Sequence, residues 1–321
     1  LYGIEKQKCH RGENGMDGII NVYKEKGFTS HDVVAKLRGI LHQKKIGHTG
    51  TLDPEAVGVL PVCLGKATKV CDLLTNKDKT YQAVCRLGVS TDTQDMTGEI
   101  LKQGDFSGVT EEQLQGVLEG FPGDQLQIPP MYSALKVNGK KLYELAREGK
   151  TVERKPRPIR IHSINLMEYR QKEGLFTMEV TCSKGTYIRT LCHDIGEKLG
   201  CFGAMESLRR TRVGVFSIED ALTLEQIEAL MGQNELEQQI LSVDALFPEY
   251  PAFQIRDEFA AKLSNGNPLL EFFLQDYPGK VNTTGIRDLT EGQEFLVYDE
   301  NGCFKAVYQK GDRDLRVRKM F

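Results

Sequence analysis

The 321-residue chain has room for one large domain and a small one, or for two of middling size. Its 40% apolar and 27% charged residues are those of an ordinary globular protein with a sizeable core. No apolar run approaches the roughly 18 residues of a membrane span and nothing near the start reads as a secretory signal, so a cytoplasmic protein is expected. The net charge of −3 argues against a polyanionic partner, but the mean hides a segregation. Residues 133–170 hold ten Lys/Arg against four Asp/Glu, residues 217–300 hold four against seventeen, and the last 21 hold six against two. Basic segments of this kind form an electrostatic footprint for a polyanion, although charge runs are as often plain solvated faces.

Residues 1–15 lack pattern. The run Arg11-Gly-Glu-Asn-Gly-Met16 suits a purine-rich ribosome-binding stretch ahead of a start codon. A translated leader or disordered segment is expected there, with Met16 as the natural start. Eight cysteines (9, 63, 71, 85, 182, 192, 201, 303) form no C-x-x-C pair and no Cys/His cluster at zinc spacing. Reduced, buried thiols are expected, and no metal.

In chain order, Gly18–Tyr23 reads as an apolar strand. After the Lys26-Gly27-Phe28 turn, Thr29-Ser30 signals a helix start, and apolar residues at 33, 34, 37, 40 and 41 carry a helical period to Leu41. Gly47 to Pro54 is loop, Val57–Leu64 an apolar segment, and Ala67–Leu74 a short helix. Tyr81–Leu87 alternates as a strand and runs into the polar turn Ser90–Gly98. Thr110–Glu119 is a capped helix with Glu112 near the capping-box position. Ile128–Ser133 breaks regular structure and opens a basic insertion (about 125–155) whose middle, Leu142–Arg147, suits a helix. Ile159–Glu168 and Leu175–Cys182 alternate as paired strands. Thr190–Leu199 is a helix ending at Gly200, Leu208–Val215 a strand, and Thr223–Leu230 an acidic helix. From Tyr250 short strands take over, with Asp299-Glu-Asn-Gly302 as a hairpin turn whose Asn-Gly suits positive φ. Strands and helices without regular βα alternation predict an α+β fold.

One carboxylate stands out. Asp53, in GHTGTLDPEAVGVLPV (47–62), ends a stretch (33–52) with Lys36, Arg38, Lys44 and Lys45 but no acid. It is either a turn residue or a reactive group placed where an anionic partner lies. Gly58–Thr68 superficially resembles a phosphate loop, but its spacing is wrong and Ala67 sits where Ser or Thr would hold magnesium. Asp92, Asp95 and Gly98 do not follow the calcium-loop pattern and suit a turn built on Asx hydrogen bonds. No second acid is placed for glycosidase chemistry, and no G-x-S-x-G elbow is present. The chemistry therefore falls to one carboxylate, as nucleophile or base, with a cation from elsewhere in the chain. Tyr81, the run Lys184-Gly-Thr-Tyr187-Ile-Arg189 and the run Leu208-Arg-Arg-Thr-Arg212 supply aromatic faces beside cations, as holding a flipped base requires. Singly, each has a blander reading: a strand tyrosine is usually core, and an arginine a surface ion pair.

Together these stretches resemble the TruB family of tRNA pseudouridine synthases, over about residues 18–216. The family motif G-H-T-G-x-L-D-P-x-A-x-G-x-L-P is met by Gly47–Pro61, and K-x-Y by Lys79-Thr-Tyr81. R-x-G-x-x-T-D-T-x-D-x-x-G is Arg86–Gly98, P-x-M-Y-S-A-L-K-x-x-G-x-x-L-Y is Pro129–Tyr143, C-S-K-G-T-Y-I-R-T is Cys182–Thr190, and L-R-R-x-x-x-G is Leu208–Gly214. Where the family often has Lys-Pro near its first strand, this chain has Lys24-Glu25. The resemblance implies a pseudouridine-synthase fold, with a mixed, mainly antiparallel sheet flanked by helices over residues 16–248. A small C-terminal β-rich, PUA-like RNA-binding domain would occupy 249–321.

The resemblance further implies that Asp53 is the catalytic nucleophile and that Arg189 pairs with it. Tyr81 would stack on the flipped uracil, Tyr187 and Leu208 would complete the pocket, and His48 would contact the displaced RNA loop. The basic insertion would be a thumb closing on RNA. The reaction implied is isomerisation of uridine 55 in the T loop of tRNA, with no cofactor and no metal, by a monomer with no obligatory protein partner. Two alternatives stand beside it: an RNA-binding protein or tRNA-folding chaperone, and a guide-RNA-dependent synthase of a ribonucleoprotein. Asp53 speaks against a pure binder, since a loop acid repels phosphates, and the basic insertion speaks for self-contained recognition.

Overall fold

The computed structural model describes residues 11–12, 15–137, 139–282 and 284–321. Most of residues 1–15, and Cys9 with them, lies outside the described residues. The expected strands and helices assemble around one long mixed sheet. Its strands are β1 (Gly18–Lys24), β2 (Ile46–His48), β3 (Val57–Leu64), β4 (Lys79–Leu87), β5 (Gly123–Gln127), β6 (Arg157–Arg170), β7 (Leu175–Cys182) and β8 (Gly203–Val213). The order across the sheet is β1-β3-β8-β4-β7-β6-β5, with β2 and the two-residue strand Phe216–Ser217 attached at β3 and β8. Every neighbour pair is antiparallel except β8 with β3. The α+β expectation of a mixed, mainly antiparallel sheet is what the chain forms.

The helices start where side-chain caps allow. Helix α1 (Ser30–Ile40) is capped by Thr29, whose hydroxyl accepts from the Asp32 amide while Asp32 reaches back to the Thr29 amide. Helix α2 (Glu111–Glu119) repeats this with Thr110 and Gln113, so Gln113 and not Glu112 closes the box. Helix α3 (Leu142–Arg147) lies in the basic insertion, α4 is Ile188–Lys198, and α5 (Leu224–Gly232) is capped by Thr223. Residues 65–70 take the tighter 3₁₀ form before a single α turn, Cys71–Thr75, where the sequence suggested one helix. The segment expected to be all loop from Gly47 includes β2, which brings Gly47 and His48 into the sheet against Cys63 and Val62.

A second, five-stranded sheet follows: β9 (Ala252–Ile255), β10 (Leu274–Asp276), β11 (Glu294–Tyr298), β12 (Phe304–Lys310) and β13 (Leu315–Met320), ordered β10-β9-β11-β12-β13. In the β11–β12 hairpin only Gly302 takes positive φ (+75°), and Asp299 instead ties the turn by accepting from the Asn301 and Cys303 amides. Ala252, Leu296 and Val307 of this sheet share a core with Ile19, Val59 and Val213 of the first. A separate core under β4, β7 and β8 packs α2 and α4 against the opposite face, where Tyr81, Leu52 and Leu208 lie. Five of the cysteines (63, 85, 182, 192 and 201) are buried, and those described are free thiols.

Candidate active site

The loop carrying Asp53 is pinned on both sides of that residue. The Ser30 hydroxyl accepts from the Leu52 amide at 3.0 Å, and the Pro54 carbonyl accepts from the Gly27 amide at 2.9 Å. Lys24, fully buried at the end of β1, donates to three carbonyls: Phe28 at 2.7 Å, Pro54 at 3.1 Å and Glu25 at 3.1 Å. Burial pulls its ammonium down to about 8, against the opposing pull of the Asp53 charge. Pinned on both sides, at Leu52 and Pro54, Asp53 holds its carboxylate with little freedom.

That carboxylate meets Arg189. Asp53 Oδ2 lies 3.1 Å from Arg189 Nε, with the acid side chain 42% exposed and the guanidinium only 6%. Arg189 stands in the first turn of α4, and its remaining donors are committed. Nη1 donates to the Thr93 carbonyl at 3.1 Å and lies 3.6 Å from Asp95 Oδ2, and Nη2 donates to the Tyr132 carbonyl at 2.8 Å. One planar cation thus joins the Asp53 loop, the 91–99 turn and the root of the basic insertion. The 91–99 turn does use Asx bonds, Asp95 Oδ1 accepting from the Thr97 amide and Asp92 Oδ1 from the Glu99 amide. The second Asp95 oxygen faces Arg189, a role the sequence reading did not give it.

Tyr81 faces the same space from the middle strand β4. Burial raises its phenol above the ordinary range, Arg210 lowers it, and the Asp53 charge is among the fields it feels. Tyr187 caps α4; burial raises its phenol too, the Ser133 hydroxyl opposes this, and Gln127 clamps its backbone with bonds of 2.7 and 3.0 Å. Leu208 packs in the core that holds Tyr81 and Leu52. The structure therefore brings together Asp53, Arg189, Tyr81, Tyr187 and Leu208. His48 sits apart, in a neighbouring groove with His31, Arg38, Lys44 and Lys45. Its ring meets His31 edge-to-face at 5.1 Å. Burial and then the His31 charge hold the His48 imidazole below its ordinary range, which favours the neutral ring.

Sequence reasoning missed Lys24, Ser30 and Asp95 as parts of this site. Lys24 and Asp95 lay inside quoted motifs, but only the folded contacts reveal what they hold. Among the described residues no three His, Cys, Asp or Glu side chains gather as a metal site would require. The geometry suits covalent or acid–base chemistry by one oriented carboxylate beside two aromatic walls, with a basic groove to receive a polyanion.

Comparison with known proteins defines the class. The chain superposes, over 99% of its length and 94% of the other chain, on a chain of the crystal structure of a Cbf5-Nop10-Gar1 complex, with a TM-score of 0.69 and 25% identity. The model of the TruB family pseudouridylate synthase N-terminal domain matches residues 38–188, and that of the tRNA pseudouridylate synthase B C-terminal domain matches 189–248. The tRNA pseudouridine synthase B of Lachnoclostridium phytofermentans is 51% identical over 306 residues, covering 93% of this chain and 96% of that protein. That of Bacillus licheniformis is 44% identical over 296 residues, covering 91% and 92%. The chain belongs to the TruB family of pseudouridylate synthases.

Proposed function

We propose that this protein is a stand-alone tRNA pseudouridine synthase that isomerises uridine 55 in the T loop, with Asp53 as its nucleophile. Conversion of uridine to pseudouridine in tRNA is the activity named for its close relatives. The observation that carries the site assignment is the Asp53–Arg189 pair, held at 3.1 Å, with the Asp53 charge felt at both Tyr81 and Tyr187.

In this reading the target uridine leaves its stack and enters between the aromatic walls. Asp53 attacks the sugar or the ring, the N1–C1′ bond breaks, and the base turns. A C5–C1′ bond then forms, the bond to the Asp53 oxygen breaks and frees the carboxylate, the C5 proton leaves and N1 gains a proton, so the product is an isomer. Arg189 keeps the carboxylate aimed through these steps and balances its charge. His48 and the basic groove beside it receive the displaced loop and its phosphates. Residues 16–248 act as the catalytic unit, with the insertion at about 125–155 as a thumb on the RNA. Residues 249–321 act as a PUA-like RNA-binding unit. The working form is a cytoplasmic monomer that needs no protein partner.

Asp53→Asn tests the assignment. Pseudouridine formation falls to background, while affinity for unmodified tRNA stays within about a few fold because phosphate contacts carry most of the binding. Undiminished turnover in that variant would show that the nucleophile lies elsewhere.

A further inference from the structure

Arg210 is a buried cation that forms no ion pair among the described residues. It is 2% exposed, its Nε donates to the Val59 carbonyl at 2.7 Å, and among the described residues its Nη2 has no hydrogen-bond partner. Burying a guanidinium without a counter-ion is costly, so a sheet core gains nothing from it unless the charge has a use. Its place suggests the use. In the sheet, Arg210 lies opposite Tyr81 on β4 and opposite Gly58 on β3, the strand that leaves the Asp53 loop. A Cβ on Gly50, in that loop, would stand 3.8 Å from Arg210 Nη1, so the guanidinium lies under the loop. Its charge is felt at the Tyr81 phenol, and also at Lys24, Lys79 and His48.

We propose that Arg210 is a positioning residue for the isomerisation, the buried counter-ion that faces Tyr81 across the sheet and balances the negative charge of its oxygen. The inference rests on the uridine-isomerising reading of the site. There, Tyr81 as phenolate takes the C5 proton and becomes the phenol. It then yields a proton to N1 and returns to the phenolate, so protons balance over the cycle. Arg210 and the phenolate form a neutral buried pair in the reactive state, which accounts for a cation kept without an acid. The Tyr81 phenol feels three charged or titratable groups: Arg210 from β8, Cys182 from β7 and Asp53 from the loop. Burial and the latter two oppose ionisation of the phenol, and Arg210 alone of the three favours it.

The test reads the coupling without RNA. Protein carrying 3-fluorotyrosine, whose more acidic phenol titrates within the stable pH range, is followed by fluorine NMR, with Tyr81→Phe assigning the Tyr81 signal. In Arg210→Gln the Tyr81 titration moves to higher pH. Turnover on tRNA at neutral pH falls at least about tenfold, with KM within about twofold, and recovers toward alkaline pH. An unmoved Tyr81 titration, with only the thermal midpoint lowered, would overturn the proposal and leave Arg210 a structural residue. If Arg210→Gln does not fold, the reciprocal measurement decides. The Arg210 Nε resonance tracks the Tyr81 titration in the parent protein and loses that dependence in Tyr81→Phe; a resonance indifferent to Tyr81 ionisation overturns the proposal. Because the titration needs no substrate, loss of this coupling is distinguishable from an absence of uridine isomerisation.

Discussion

Arg189 divides its donors among Asp53, Asp95 and the carbonyls of Thr93 and Tyr132. A lysine carries a single compact ammonium and cannot span those four acceptors in one plane. Arg189→Lys therefore lowers single-turnover pseudouridine formation at saturating tRNA by at least about tenfold, with affinity little changed, because what is lost is the aim of Asp53. Lys24 makes a prediction about pH. Its ammonium releases its proton near pH 8 in the folded chain and near its ordinary 10.5 in the unfolded one. Between those values the unfolded chain binds more protons, so stability rises with pH across this window, and the cost of burial is fully present below it. In urea titrations at a series of pH values, Lys24→Met shows a flatter rise between pH 8 and 10.5 than the parent; Lys79, lowered by burial to about 8, supplies the slope that remains. Asp53 was legible because its acid-free neighbourhood and the motif around it are local. Lys24 was not, since its bond to Pro54 closes a separation of 30 residues that no periodicity reports.

At the scale of elements, the Asp53 loop depends on how closely β3 and β8 approach where they run parallel. Gly58 sits there at φ +107°, and a Cβ on it would stand 2.2 Å from the Arg210 carbonyl oxygen. Backbone cannot yield as a flexible side chain would, so Gly58→Ala costs about 3 kcal/mol or more and moves the Asp53 loop. Chemical denaturation together with turnover checks this: both fall. Most elements were readable. Period and caps placed α1, α2 and α5, and alternation placed β4, β6 and β7. What alternation did not show is that β8 begins at Gly203, because residues 203–205 are buried in succession beside α4. Nor could it place β8 between β3 and β4, since that order depends on contacts distant in sequence. The Asn-Gly hairpin was correctly located, but Asp299 supplied the turn chemistry that Asn301 was expected to supply.

At the scale of the molecule, the second sheet is bound into the first. The shared core around Ile19, Val59, Ala252 and Leu296 joins them, and Lys319 reaches Asp72 at 3.1 Å while Lys69 reaches the Met320 carbonyl at 2.9 Å. The segregated charge was visible in the sequence, but where it would be displayed was not. The fold sets Arg38, Lys44 and Lys45 in a groove beside His48, and it presents the final basic strand next to residues 65–75. Site, groove and insertion belong to one chain, as the proposed stand-alone reading requires. The most direct test mixes the purified protein alone with unmodified tRNA transcript and locates pseudouridine by mass spectrometry. One pseudouridine per tRNA, confined to the T loop, is the predicted result; no turnover until a guide RNA or partner protein is added would contradict it.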